Sequence, residues 1–91
     1  MRTIERTFTI HDYMLRGGRL CRLNVKYTCL AEGWVVYAET ADIISITAVF
    51  GDWSEKDMTE KLRDDDVVIK YCEMDMKKAQ KELLRMREED R

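Results

Sequence analysis

The chain has 91 residues, of which 45% are hydrophobic and 37% charged, and its net charge is −2. That length fits one domain and leaves no room for two. The composition excludes a disordered chain, and the near-neutral balance carries no overall signal for nucleic-acid binding.

A first strand is expected where Ile4, Phe8 and Ile10 alternate with Thr3, Glu5, Thr7, Thr9 and His11. Arg6 breaks the apolar face and reads as a strand margin, while Tyr13, Met14 and Leu15 extend the run or cover its end. Arg16-Gly17-Gly18-Arg19 signals a hairpin, because glycine reaches positive φ without steric cost. The second strand is the clearest: Cys21, Leu23, Val25, Tyr27 and Cys29 point one way, and Arg22, Asn24, Lys26 and Thr28 the other. Ala31-Glu32-Gly33 turns the chain into a third strand, Trp34–Ala38, rich in β-formers. After a weaker break at Thr40-Ala41-Asp42, Ile43–Phe50 predicts a fourth strand with Ile44, Ile46, Ala48 and Phe50 inward. Short links favour antiparallel neighbours, hence a meander.

The period changes near Gly51, from every second residue to every third or fourth. Ser54 followed by Asp57 resembles a capping box, and Met58 and Leu62 stand four apart, so a short helix is expected over about 55–63. Asp64, Asp65 and Asp66 interrupt the apolar pattern and place carboxylates where a helix dipole favours them. Ile69, Cys72, Met76, Ala79, Leu83 and Met86 then form one stripe, which predicts a long helix over about 66–89 with its last turn, from Arg87 to Arg91, overhanging or fraying. The expected fold is α+β: a four-stranded, mostly antiparallel meander sheet over 3–50, packed by a long C-terminal helix, with a short helix before it.

No run of about 18 apolar residues is present, and the N-terminal residues lack the apolar core of a secretory signal, so the expected location is cytoplasmic. The three cysteines lack C-x-x-C spacing, and Cys21 and Cys29 stand about 26 Å apart on one strand face, too far to bond. Reduced, buried cysteines are expected.

Catalytic signals are weak. Tyr71 and Asp75 make a Tyr-x-x-x-Asp string on a helix, which resembles the third motif of proofreading-type 3′→5′ exonucleases, where Asp binds a metal and Tyr orients water. The Asp-x-Glu which that family needs on a strand does not occur in this chain, so Tyr71 is expected at the stripe's edge and Asp75 in solvent. His11, the one histidine, lacks a neighbouring exposed nucleophile and reads as a surface strand residue. No cofactor, metal or catalytic group is expected.

Binding signals are better defined. Residues 51–76 hold nine acidic and four basic groups, flanked by mildly basic segments. Asp52, Asp57, Asp64, Asp65 and Asp66 make an acidic belt that caps helices and could imitate nucleic-acid phosphates to a basic partner. Trp34, Tyr37 and Trp53 are aromatic anchors of the type found at protein interfaces. Arg16, Arg19, Arg22 and Lys26 around the first hairpin are the alternative, a nucleic-acid-binding surface. The expected function is a small non-catalytic protein-interaction domain, an inhibitor or modulator of a larger machine of phage or mobile-element type that handles nucleic acid. A homodimer through the sheet edge or the C-terminal helix is a further expectation, and no membrane partner is expected.

Overall fold

In the computed structural model, which describes residues 1–89, the alternating segments pair as β1 (Arg2–Met14), β2 (Leu20–Glu32) and β3 (Val35–Val49). A short β4 (Glu55–Asp57), the single-turn α1 (Thr59–Leu62) and the long α2 (Asp66–Glu89) follow. The sheet is an antiparallel meander in the order β1-β2-β3-β4, with α2 packed on one face: an α+β fold. The long strands make it elongated, 51 × 22 × 18 Å, with a radius of gyration of 14.9 Å against about 12 Å for a compact chain of this length.

β2 is the spine. Leu23, Val25, Tyr27, Cys29 and Ala31 are all at most 1% exposed, alternating with partly exposed neighbours. Two clusters form on this inner face. The first joins Ile10, Leu23, Val25, Ile46, Phe50, Met58, Leu62 and Val68; the second joins Tyr27 and Cys29 of β2 to Cys72 and Met76 of α2. Burying each large apolar side chain here contributes about 1.5–3 kcal/mol. All three cysteines are buried and free.

The hairpin at Gly17 and Gly18 adopts φ of +94° and +83°, values that need glycine. Gly18 N donates to Leu15 O and Leu15 N to Arg19 O.

Several expectations are corrected. The expected third and fourth strands are one strand, β3. Its weak point at Thr40 is a bulge: Leu30 N donates to the Thr40 hydroxyl, which donates in turn to Tyr37 O, so a side chain replaces the missing ladder bond. A second shift in the pairing leaves Ile44 unpaired, and the phase slips by one residue. Ile43 packs on the core and Ile44 is 45% exposed, the reverse of the alternation expected there. The fourth strand is β4, where a helix over 55–63 was expected; only Thr59–Leu62 is helical. No Ser54–Asp57 capping box forms, because Ser54 N and Oγ both donate to Asp52 Oδ1.

On α2 the buried residues are Val68, Cys72, Asp75, Met76 and Ala79, so the stripe begins at Val68 and Ile69 is 39% exposed. Asp65 caps the helix: its Oδ1 accepts from Val67 N and Val68 N, and its Oδ2 accepts from the Tyr13 hydroxyl at 2.7 Å. Of the expected overhang, Asp90 and Arg91 lie outside the described residues.

Arg6 is no strand margin. It lies under α2, where its Nε donates to Asp75 Oδ2 at 2.7 Å and its Nη1 to Glu82 at 2.8 Å. The Tyr27 hydroxyl donates to the same Asp75 oxygen at 2.5 Å. Asp75, expected in solvent, is buried between them.

The outer edge of β3 is covered piecewise. β4 pairs with Thr47–Val49, Ile46 N donates to Thr59 Oγ1, and Arg63 donates to Ile43 O. Gln80 of α2 acts like a short piece of strand: its Oε1 accepts from Val36 N at 2.8 Å and its Nε2 donates to Trp34 O at 2.6 Å.

Candidate interaction surface

The β1–β2 hairpin and the β3–β4 turn emerge at the same end of the sheet, since β2 is antiparallel to both β1 and β3. That placement brings together residues far apart in sequence. Trp53 is 77% exposed, and Met14 and Leu20, opposite one another in the ladder, are 55% and 53% exposed. The Arg22 guanidinium stands 5.9 Å from the Trp53 ring and that of Arg19 lies 3.7 Å above Phe50. Both contacts are cation–π pairs. A shallow cavity of about 300 Å³ opens between Leu20, Arg22 and Trp53.

Local structure dictates Trp53's position. The turn closes through Phe50 N donating to Ser54 O and Trp53 N to Phe50 O, and Asp52 fixes Ser54 from within. The result is φ of +67° at Trp53. This left-handed conformation costs a residue with a Cβ about 1–2 kcal/mol. Asp12 is the other non-glycine residue with positive φ among those described, at a bulge where His11 and Asp12 oppose Arg22.

The other aromatic candidates lie elsewhere. Trp34 and Tyr37 are half-buried at the opposite end of the sheet, beside the β2–β3 turn, with the Tyr37 hydroxyl 3.4 Å from Glu32. The three aromatics therefore do not share one surface.

The four cations divide likewise. Arg16 and Arg19 sit on the hairpin, Arg22 is half-buried with its Nε lacking an acceptor among the described residues, and Lys26 pairs with Glu5 at 3.1 Å on the open sheet face. Arg19 lies 3.9 Å from Asp52. Around Trp53, the cations Arg19 and Arg22 are interspersed with the carboxylates Asp12 and Asp52.

Three of the five acidic-belt carboxylates, Asp52, Asp57 and Asp65, accept hydrogen bonds within the molecule, and Asp52 and Asp57 stay exposed while doing so. Hydrogen bonds from the Ser54 hydroxyl and amide hold the Asp52 carboxyl below its usual range, and those from Thr59 do the same for Asp57. Asp65 holds α2 and Tyr13, leaving Asp64 and Asp66 exposed.

The Arg6–Asp75–Tyr27 cluster is a second polar centre that alternation alone did not reveal. Burial pushes the Asp75 carboxyl up, but the hydrogen bonds from Arg6 and Tyr27 and the Arg6 charge outweigh it and leave it low. Burial and Asp75 both push the Tyr27 hydroxyl up. The signal was present: Arg6 shares a strand face with Ile4, Phe8 and Ile10, and Asp75 falls between Cys72 and Ala79 at helical spacing. Nearby, burial pushes the Cys72 thiol up to about 11 and also raises Cys29. Both therefore remain protonated at neutral pH.

Comparison with protein-family models, with curated proteins and with solved structures finds no match to this chain. Among the described residues, no helix is long and apolar enough to cross a membrane.

Proposed function

We propose that the protein is a non-catalytic interaction domain that docks on a larger protein through the hairpin end of its sheet, with Trp53 as the anchor, and so modulates or inhibits that partner. One observation carries this reading: a tryptophan 77% exposed is held in a strained left-handed turn beside two arginines. Folding gains little from that side chain and would favour glycine at its φ, whereas exposed Trp, Arg and Met together have the make-up of an interface centre. The mixture of acidic and basic groups around it favours a protein over a nucleic acid.

The variant Trp53→Gly tests it. Relief of backbone strain, less the entropy that glycine adds to the unfolded chain, should raise the free energy of unfolding by up to about 1 kcal/mol, read by denaturant unfolding. Capture of a partner from lysate, with and without nuclease, should be lost for that same better-folded variant. Undiminished capture would overturn the anchor role. Capture that vanishes with nuclease, and on Arg16→Ala with Arg19→Ala, would instead support the nucleic-acid-binding alternative.

A further inference from the structure

A groove of about 770 Å³ runs between α2 and the outer half of β3, remote from the Trp53 end. Its floor is apolar, with Val36, Ile43, Ile69 and Met76. Its rim carries four carboxylates, Glu39, Asp42, Asp64 and Glu73, against two cations, Arg63 and Lys77. Among the described residues none of the four carboxylates takes part in an ion pair; the ion-paired acids are Glu5, Asp52, Asp75 and Glu82. The groove therefore favours an occupant that is apolar at its centre and basic at its end.

The chain itself carries such a segment. Burial on α2 ends at Ala79, and Gln80 already touches the first residues of β3, so the last turns of the helix run on past the sheet. There Leu84 is 43% exposed, and Arg85 and Arg87 are exposed without an acidic partner among the described residues. Helical spacing puts Ile69, Glu73, Met76, Gln80, Leu84 and Arg87 along one face, at a mean step of about 3.6 residues. That face is the one that borders the groove.

We propose that a second copy of this chain covers the groove, α2 against α2, antiparallel, with the two-fold axis passing near Gln80. Positions equidistant from Gln80 then meet. Glu73 faces Arg87 of the second copy, whose Leu84 lies over the groove floor at the largely buried Met76, and each contact occurs twice, as an isologous interface requires. A parallel arrangement would set Glu73 against Glu73 and Arg87 against Arg87. The antiparallel one converts both into ion pairs around an apolar centre, the arrangement by which rim charges select orientation.

Charge reversal tests the pairing on exposed positions, where folding is unaffected and far-ultraviolet circular dichroism verifies it. Sedimentation velocity should show a dimer of the unaltered protein that weakens as salt is raised. Glu73→Arg alone and Arg87→Glu alone should each weaken it by about tenfold or more, from two repulsive contacts. An equimolar mixture of the two variants should restore it, because every contact in the mixed dimer is then Arg against Glu. The double variant E73R/R87E should also dimerise. An unaltered protein that stays monomeric at the highest attainable concentration would overturn the proposal. So would a dimer indifferent to both reversals, which would locate self-association at the β1 edge or the Trp53 end.

Discussion

The two halves of the core solve the same packing problem with opposite chemistry. Near the hairpin end, Ile10, Leu23, Val25, Ile46 and Val68 meet with no polar side chain among them. Toward the β2–β3 turn, Tyr27, Cys29, Cys72 and Met76 surround a carboxylate, Asp75, gripped by Arg6 and the Tyr27 hydroxyl. The apolar half is tolerant in direction, because dispersion and burial do not depend on orientation. The polar half is demanding, because each buried donor and acceptor must find its partner. The first contributes most of the burial; the second, together with the Tyr13–Asp65 bond and the Gln80 bonds to Val36 N and Trp34 O, positions α2 along the sheet.

The largest way to break this contrast is in the apolar half. Leu23→Ala, at a position with 0% exposure, should cost about 3 kcal/mol through lost burial and the cavity left behind. Chemical denaturation reads this, and no second substitution on the polar side should recover it.

In the polar half, Asp75→Ala leaves the Arg6 guanidinium and the Tyr27 hydroxyl without their acceptor. Arg6 keeps Glu82 and is partly exposed, so the cost should be about 2 kcal/mol, below that of a fully buried pair. Here, unlike at Leu23, rescue is expected: Arg6→Met and Tyr27→Phe combined with Asp75→Leu should return most of the loss, because an all-apolar cluster removes the need for partners. If the triple variant is no more stable than Asp75→Ala, the cluster is not the isolated polar unit described above.

The smallest effect is read by pH, and its acid limb belongs to the polar half. A carboxyl held low in the folded state binds its proton more readily when unfolded. Asp75's contribution is therefore full above about pH 4 and is lost as pH falls through its folded value. A hydroxyl pushed up by folding behaves oppositely, so Tyr27 contributes fully below about pH 10 and loses its contribution as pH rises further. Tyr13, pushed up to about 12 by burial and by Asp65, adds to that alkaline limb. Denaturation midpoints across pH should show both limbs, and Asp75→Asn should flatten the acid one while the alkaline one persists.

How much of this was legible in the sequence depends on the range of the forces involved. The β2 alternation, the Gly17-Gly18 hairpin and the helix after the three aspartates are local, and the antiparallel order followed from the short links between them. β4 was hidden because Glu55–Asp57 has helix-compatible residues, and only pairing with Thr47–Val49 makes it a strand. The continuity of β3 was hidden because Thr40, read as a break, supplies with its hydroxyl the bond that the backbone lacks. The slip at Ile44 exchanges the faces of two similar isoleucines, which alternation cannot detect. Within the candidate surface, Trp53 and the hairpin arginines were each visible, but their meeting was not, since it depends on two turns emerging at one end of a sheet. Arg6 and Asp75 were the readable clue passed over: a charge on an inward strand face and its opposite on an inward helix face.

The amide of Gln80 has a consequence outside folding energetics. A strand edge of uncovered peptide groups is a template on which other chains can add. By occupying Val36 N and Trp34 O, Gln80 removes the start of β3 from that role, as Arg63, Thr59 and β4 do further along. Among the described residues β1 has no such cover and is guarded instead by an inward charge, Arg6, and by the kink at Asp12. The fold thus carries two separate devices of the kind that disfavour edge-to-edge strand addition, and one of them is built from the side chains that seat α2 on the sheet.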